Sequence, residues 1–223
     1  LGLPRNRPPH SHPGFLLFVT SFLFLLAAYL LGAVPTSLWV GKGLHGVDLR
    51  QEGSGNLGAT NAFRVLGWRA ALPVVAFDIF KGWLPVVAFP GWAGVDSLGW
   101  ILGFGAAAIA GHVFSIWAGF RGGKGVATSG GVFLGLAPLG ALVSAVVFFV
   151  LAFGTRIVSV ASMAAALVLP VAVALTPHRG GTGTVIFSAA LALFVIWAHR
   201  TNIGRLLRGE ENRFGSARGD TAS

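Results

Sequence analysis

The stretch Gly119-Phe-Arg-Gly-Gly-Lys-Gly-Val-Ala-Thr128 places two cations and three glycines within the five residues 121–125. It lies between an apolar run at residues 98–118 and another at residues 132–153. Glycine lets the backbone adopt positive φ and approach a ligand closely, and successive N–H groups of such a loop form a concave anion site. If Val126 begins the next helix, its N-terminal partial charge also favours an anion. The stretch therefore predicts a phosphate-binding loop between two membrane helices, although a connection whose cations only hold it on the cytoplasmic side is the alternative.

The composition is that of an integral membrane protein. Of the 223 residues, 54% are hydrophobic and 10% are charged, and the mean hydropathy is +0.76, whereas soluble proteins contain about 25% charged residues. The net charge of +9 does not indicate nucleic-acid binding, because the cations occupy short segments between apolar runs. There is no cysteine and the six histidines are scattered, so we expect no disulfide, no metal site and no cofactor. A P-loop spacing is also absent, which argues against nucleotide hydrolysis.

Six apolar runs predict the membrane helices. They lie at residues 15–40, 70–89, 98–118, 132–153, 157–176 and 184–198, and most approach the ~20 residues that a spanning helix needs. The first run follows basic residues as a signal peptide would, but it has no small-residue cleavage pattern, so we interpret residues 15–34 as the first membrane helix. We expect a disordered extension at residues 1–14, a single transmembrane domain at residues 15–212 and a flexible tail at residues 213–223.

The cations between the runs predict the topology. They place residues 41–69, 119–125 and 199–223 in the cytoplasm and the N-terminus outside. Three apolar runs follow residues 119–125, but an even number of crossings is needed to bring the tail back to the cytoplasm. The Gly135-Leu-Ala-Pro138-Leu-Gly140 interruption resolves this if it divides residues 125–153 into two short segments, as spans or as a re-entrant pair. The predicted fold is an all-α polytopic bundle of about seven transmembrane helices, some short or broken, with a cytoplasmic C-terminus.

A second polar stretch, Gly53-Ser-Gly-Asn-Leu-Gly-Ala-Thr-Asn-Ala-Phe-Arg64, combines glycines with hydroxyl and amide side chains. Arg64 can hold a phosphate through two parallel hydrogen bonds. The candidate ligands here are Gly53, Ser54, Asn56, Thr60, Asn61 and Arg64. The alternative is that Thr60 or Asn61 only caps a short helix that ends at Leu66.

A third stretch follows the last apolar run and reads His199-Arg-Thr-Asn-Ile-Gly-Arg-Leu-Leu-Arg-Gly-Glu210. His199, Asn202 and Arg205 are spaced by three, which puts them on one helical face where they could address a single ligand. A basic helix on anionic lipid would explain Arg205 but not His199 or Asn202. We expect Glu210 to pair with a cation or a helix end.

Three ionisable residues are assigned structural roles. Asp78 and Lys81 lie three apart near the middle of the second run, so we expect them to pair with each other or to face a polar interior, with direct substrate contact as the alternative. His112 ends the third run, and we interpret it as a structural group and not a substrate ligand.

Together, the three stretches resemble the signature motifs of the bacterial membrane glycerol-3-phosphate acyltransferases that use acyl phosphate, the PlsY family. The motifs are the 53–64 stretch, then Gly111-His-Val-Phe114 leading to Gly122-Gly-Lys-Gly-Val-Ala-Thr128, and then His199-x-x-Asn-Ile-x-Arg-Leu-x-x-Gly-Glu210. Two departures are Ser115, where proline is common, and Arg121, where lysine is common; the latter keeps the charge but changes its geometry.

The resemblance implies a seven-span, cytoplasm-facing enzyme of the bacterial inner membrane. It would transfer an acyl group from acyl phosphate to the 1-hydroxyl of glycerol 3-phosphate, giving lysophosphatidic acid for phospholipid biosynthesis. We expect a monomer whose partners are these two substrates and the surrounding membrane lipid. The resemblance makes Ser54, Arg64, Lys124, His199 and Asn202 the catalytic candidates and gives Glu210 a role in integrity. The phosphate-binding candidates are Gly53, Asn56, Thr60, Asn61, Gly122, Gly123, Lys124, Gly125, Arg156 and Arg205.

No nucleophile constellation of the Ser-His-Asp type is evident, and acyl phosphate is already activated, so we expect direct attack by the glycerol hydroxyl. The base is either His199 or the phosphate of the substrate. No histidine is followed five residues later by aspartate, which argues against an acyl-CoA mechanism. Two rival functions are a phosphate transporter built on broken helices around Pro138, and a lipid-binding scaffold without turnover.

Overall fold

The computed structural model describes residues 13–214. In this part of the chain all regular structure is helical, which confirms the predicted fold class. Most of the predicted N-terminal extension, and the predicted tail beyond residue 214, lie outside the described residues. The helices are α1 (Pro13–Ala33), α2 (Thr36–His45), α3 (Ala59–Leu66), α4 (Trp68–Val87), α5 (Phe89–Ala93), α6 (Leu98–Val113), α7 (Val126–Leu136), α8 (Pro138–Thr155), α9 (Val158–Leu175), α10 (Gly181–Ala198) and α11 (Arg200–Leu207).

Within the described residues, six segments are long and apolar enough to cross a membrane: Gly14–Ala33, Trp68–Val87, Leu98–Ala118, Pro138–Thr155, Val158–Leu175 and Gly181–Ala198. The apolar helix α7 is shorter. The predicted break before Pro138 is confirmed, because α7 ends at Leu136 and α8 begins at the proline, after a residue with extended φ. We expected both segments on either side of this break to be short for a full membrane span. This is wrong for the second segment, since α8 has 18 residues.

The short helix α7 is enclosed by protein, and glycines allow its close approach to α4. A Cβ at Gly131 would overlap the carbonyl oxygen of Ile79, and a Cβ at Gly82 would overlap that of Thr128. Small residues bring membrane helices into backbone contact in this way. The side chains of Val132 and Phe133 are fully buried in the main apolar cluster. Helix α7 therefore holds its N-terminus against the core of the bundle.

The C-terminal ends of α1 and α6 are joined. Gly111 faces the backbone of α1, where a Cβ would overlap the carbonyl oxygen of Tyr29. The Tyr29 hydroxyl donates a hydrogen bond of 2.8 Å to the Phe114 carbonyl, and the Ser115 hydroxyl donates to the Ala33 carbonyl. Ser115, one of the two departures from the family pattern, therefore closes the end of α6 onto α1.

The predicted ion pair inside α4 is confirmed. Lys81 Nζ lies 2.7 Å from Asp78 Oδ1, and both side chains are almost completely buried. The Lys81 ammonium also donates to the Val34 carbonyl at 2.9 Å, where the chain leaves α1 ahead of Pro35. Charges within a membrane span are costly unless they are paired. The pair thus joins α4 to the end of α1.

Candidate active site

Asn61 organises the polar stretch at residues 53–64. Its Oδ1 accepts a hydrogen bond of 2.8 Å from the Ser54 backbone N–H, and its Nδ2 donates to the carbonyls of Leu49 and Glu52 at 3.1 and 3.0 Å. The side chain is 1% exposed. Because both N–H groups and the oxygen of this amide are engaged, Asn61 fixes the loop that presents the exposed Ser54.

The helix predicted to end at Leu66 is present as α3, but neither Thr60 nor Asn61 caps it. Its N-cap is Gly58, without a side-chain hydrogen bond. The Asn56 carboxamide oxygen accepts from the Gly58 N–H at 2.9 Å and so shapes the turn before the helix. Gly53 has φ of +61°, which favours glycine at this position.

The 119–125 loop folds back on the end of α6. The Gly122 N–H donates to the Val113 carbonyl at 2.9 Å, and the Gly123 N–H donates to the His112 carbonyl at 3.1 Å. Gly125 has φ of +79° and is the N-cap of α7. The loop therefore holds Lys124 at the N-terminus of α7, as the sequence predicted.

His199 lies at the junction of α10 and α11, with 3% of its surface exposed. Its Nδ1 is 2.8 Å from the Val195 carbonyl. A carbonyl only accepts, so Nδ1 carries the hydrogen and a neutral ring keeps its lone pair on Nε2. The orientation of this imidazole is fixed by the last turn of α10.

The 119–128 stretch and the 199–210 stretch meet through a chain of hydrogen bonds. Lys124 Nζ donates to Asn202 Oδ1, and Asn202 Nδ2 donates to Glu211 Oε1 at 2.6 Å. Glu211 Oε2 accepts from Arg205 Nε at 2.7 Å. Asn202 and Arg205 thus share one helical face, as their spacing predicted. Arg64 completes the cluster, because the charges of Glu211 and Arg205 act on its guanidinium.

Glu211 is the acceptor at the centre of this cluster, and sequence reasoning did not find it. Its side chain is 6% exposed, and Oε1 also accepts from the Ser159 hydroxyl of α9 at 2.9 Å. The sequence prediction that Glu210 pairs with a cation is confirmed, since Glu210 contacts Arg208 at 2.7 Å, but that pair is well exposed. The buried position belongs to Glu211, because Gly209 turns the chain with φ of +70° after α11. The second glutamate beside Glu210 was the signal available in the sequence.

The surroundings shift the protonation of three residues in the cluster. Burial, together with the positive charges of Arg205 and Arg64, lowers the pKa of Lys124 to about 8. Burial and the Lys124 charge lower the pKa of His199 to about 4. For Glu211, burial favours the neutral form, but hydrogen bonds from Arg205, Asn202 and Ser159 outweigh it and hold the pKa below its usual range. At neutral pH the cluster therefore contains three cations, one carboxylate and a neutral imidazole, a net positive site suited to oxyanions.

Other predicted site residues lie apart from these contacts. Within residues 13–214, no hydrogen bond joins the side chain of Thr60 or Arg156 to the cluster. Arg156 ends α8 with φ of +59°, and its carbonyl accepts from the Phe214 N–H at 2.9 Å. His112 is buried with its Nδ1 3.7 Å from Asp78 Oδ1.

This architecture defines a polytopic membrane protein with a cationic site built from three distant polar stretches. Residues 22–209 match the family described as Glycerol-3-phosphate acyltransferase. Among curated relatives, the glycerol-3-phosphate acyltransferase of Chlorobium phaeobacteroides is 39% identical, with 87% of this chain and 97% of the relative covered. Glycerol-3-phosphate acyltransferase 3 of Bacillus anthracis is 47% identical, with 86% and 94% covered.

Two solved structures share the fold. Both are crystal structures of PlsY (YgiH), described as an integral membrane glycerol 3-phosphate acyltransferase, in the glycerol 3-phosphate form and the lysophosphatidic acid form. The first has a TM-score of 0.80 at 36% identity and covers 87% of this chain and 96% of its own; the second has a TM-score of 0.78 at 35% identity and covers 87% and 95%. The chain belongs to the glycerol-3-phosphate acyltransferase family and is an integral membrane acyltransferase.

Proposed function

We propose that this protein transfers a fatty acyl group from acyl phosphate to the 1-hydroxyl of glycerol 3-phosphate, releasing lysophosphatidic acid and phosphate for phospholipid biosynthesis. The observation that carries the proposal is the hydrogen-bonded chain that joins Lys124 to Asn202, Glu211 and Arg205. The charge of Arg64, from the 53–64 stretch, acts on the same group. Both substrates bring a phosphate, and cations with oriented N–H groups stabilise such oxyanions. The family and the ligand forms of the two related structures support the same acceptor and product.

Each predicted ligand receives a role in this proposal. Lys124, Arg64 and Arg205 neutralise phosphate charge, and the N–H groups from residue 124 onward bind one phosphate at the N-terminus of α7. The N–H groups of Gly122 and Gly123 are already bonded to carbonyls of α6. Ser54 and Asn202 orient the substrates by hydrogen bonds. Asn61 and Asn56 act by holding the Ser54 loop in shape, since their carboxamides are engaged within it. Thr60, Gly53 and Arg156 remain candidates for contact with the second phosphate.

The reaction needs one bond to form and one to break. The 1-hydroxyl oxygen attacks the acyl carbonyl carbon, the bond between that carbon and the bridging oxygen of acyl phosphate breaks, and the phosphate leaves with both bonding electrons. The oxyanion that develops lies within reach of the same cations. An activated donor and the absence of a nucleophile paired with a base favour this direct route over an acyl-enzyme. A covalent acyl adduct trapped on the protein would overturn it.

Two bases can take the hydroxyl proton. His199 presents an Nε2 lone pair, but its pKa of about 4 makes it a weak base at neutral pH. The phosphate of the bound substrate has a second pKa of about 6, closer to the working pH. We therefore assign the proton to the substrate phosphate and a hydrogen-bonding role to His199.

The site lies on the cytoplasmic side of a bacterial inner membrane in this proposal. Residues 41–69, 119–125 and 199–223 carry 11 of the 16 lysine and arginine residues, and the positive-inside rule assigns such segments to the cytoplasm. This orientation places the N-terminus outside. The described contacts that assemble the site come from a single chain, so we propose that the monomer is active.

The donor is tested with purified protein in detergent. Labelled glycerol 3-phosphate is supplied with palmitoyl phosphate or, in a matched reaction, with palmitoyl-CoA. We expect labelled lysophosphatidic acid only with the phosphate donor. Product formation at equal rates with both donors would contradict the acyl-phosphate assignment. Labelled counterflow in sealed vesicles without any product would support the rival transporter.

The titration of Lys124 predicts an alkaline limb, a fall in kcat/KM at high pH, in the pH–rate profile. Its pKa of about 8 means that the ammonium is charged below that pH and neutral above it. Since the cation binds phosphate, kcat/KM for glycerol 3-phosphate should fall about tenfold per unit as pH rises beyond about 8. Over this range Glu211 stays ionised and His199 stays neutral.

The matched variant is Lys124→Arg, whose guanidinium keeps its proton to above about pH 12. We expect a lower rate at all pH values and no alkaline limb up to the stability limit of the donor, which is measured in parallel. An unchanged limb in Lys124→Arg would show that another group titrates.

A further inference from the structure

The buried charges of α4 lie close to residues 122–125, the proposed phosphate-binding loop, called here the phosphate loop. Lys81 is held by Asp78 and by the Val34 carbonyl. His112 Nδ1 is 3.7 Å from the same carboxylate oxygen of Asp78. The group spans α4, the end of α1 and the end of α6, and its three side chains are at most 6% exposed. A charge pair at this depth is costly and is retained where it has a function.

His112 connects these buried charges to the phosphate loop. Its carbonyl accepts the Gly123 N–H at 3.1 Å, and its ring lies against the Cα of Gly123, where an added Cβ would overlap Nε2. At Gly122 an added Cβ would overlap the His112 carbonyl oxygen. Both the backbone and the side chain of His112 therefore set how closely residues 122–123 approach α6, and Lys124 follows directly.

A small cavity separates the ion pair from the loop. It has a volume of about 10 Å³ and is lined by Val34, Pro35, Thr36, Leu57, Lys81, His112, Gly122 and Gly123. Among the described residues, the Thr36 hydroxyl is buried without a hydrogen-bond partner. Such a volume is close to the ~10–15 Å³ that one water needs, and Thr36, Lys81 and His112 are the polar side chains among the residues that line it.

We propose that Asp78, Lys81 and His112 are positioning residues. They set how closely the phosphate loop approaches the end of α6, and so they position Lys124 for glycerol 3-phosphate. The ion pair fixes the carboxylate, the carboxylate faces the imidazole, and the imidazole supports Gly123. None of the three touches substrate. A displacement of about 1 Å at a reacting group can cost about 10²-fold in rate, which gives this arrangement its effect. The inference rests on the proposed function, because it takes residues 122–125 as the phosphate-binding loop.

The first test neutralises the pair without leaving one charge alone. Asp78→Asn/Lys81→Met removes both charges at similar volume, which buried pairs often tolerate. We expect protein that purifies and unfolds close to the wild-type temperature, with KM for glycerol 3-phosphate raised at least about tenfold and a smaller change in kcat. The matched control, Arg208→Gln/Glu210→Gln, removes an exposed pair and should leave KM unchanged.

The second test is a double-mutant cycle that remains decisive if the first variant does not fold. Gly123→Ala should cost at least about tenfold in kcat/KM, because its Cβ meets the imidazole. In a His112→Ala background the same substitution should cost less than about twofold, since the ring is gone. Equal costs in the two backgrounds would show that the ring does not support Gly123.

The outcomes distinguish a failure of the positioning role from a failure of the proposed function. If wild-type protein forms no lysophosphatidic acid, the proposed function fails. If wild-type protein is active while Asp78→Asn/Lys81→Met keeps the wild-type KM, or the cycle is additive within about twofold, the positioning role alone is overturned. A raised KM together with a non-additive cycle supports it.

Discussion

Gly122→Ala lowers kcat/KM for glycerol 3-phosphate by at least about 10²-fold. A Cβ at this position would overlap the carbonyl oxygen of His112 and lie 2.8 Å from that of Val113, both of which accept hydrogen bonds from the loop. Neither carbonyl can move away, because both belong to the end of α6. The loop must therefore lift, which breaks the bonds from Gly122 and Gly123 and displaces Lys124.

The matched control is Gly130→Ala on α7. No atom lies within 4 Å of a Cβ at that position, and its backbone φ is not positive. Alanine favours a helix over glycine by about 0.8–1 kcal/mol in water, so we expect a stable enzyme with near wild-type rates. Steady-state kinetics and thermal unfolding of the two variants in the same detergent make the comparison. Equal activity of Gly122→Ala and Gly130→Ala would contradict the close approach of this loop to α6.

Local features of the sequence predicted most of the fold. Each spanning helix is an apolar run of adequate length. Pro138 marked the break before α8 because proline, here between two glycines, disfavours helical geometry in the residue before it. The pairing of Asp78 with Lys81 followed from their spacing of three within an apolar helix. These predictions depended on neighbours along the chain, where periodicity is informative.

Contacts between distant stretches were predicted only as far as the family resemblance extended. Lys124 and Asn202 are 78 residues apart, and no spacing rule brings them together. The choice between Glu210 and Glu211 depended on the turn at Gly209, which the sequence did not resolve. Ser159 was missed because one serine in an apolar helix carries no local signal; its role appears only once Glu211 folds back onto α9.

The cluster balances attraction for anions against its own repulsion. Arg64, Lys124 and Arg205 act on one another unfavourably, and Glu211 is the carboxylate that offsets them. Because Lys124 donates to Asn202 and Asn202 donates to Glu211, the carboxylate also orients the lysine indirectly. A bound phosphate would supply the missing negative charge. The free site is therefore held together by Glu211.

Glu211→Ala destabilises the protein by about 3–5 kcal/mol and abolishes measurable turnover, because it removes the acceptor of a largely buried ion pair. Arg205, Asn202 and Ser159 each lose a hydrogen bond to its carboxylate. Three cations are then left without a carboxylate, and their repulsion opens the site. Thermal unfolding and activity are measured in the same detergent, with Glu211→Gln as an isosteric variant that keeps an oxygen acceptor but loses the charge.

The adjacent Glu210→Ala provides the control for this loss. Its carboxylate pairs with Arg208 at the same 2.7 Å, but both side chains are about 60% exposed, and such surface pairs contribute about 0–1 kcal/mol. We expect Glu210→Ala to unfold within a few degrees of wild type and to keep its activity. If high glycerol 3-phosphate restores part of the stability of Glu211→Gln, the substrate phosphate is replacing the lost negative charge. Equal effects of Glu210→Ala and Glu211→Ala would instead show that the carboxylate holding the site together is not the one buried against α9.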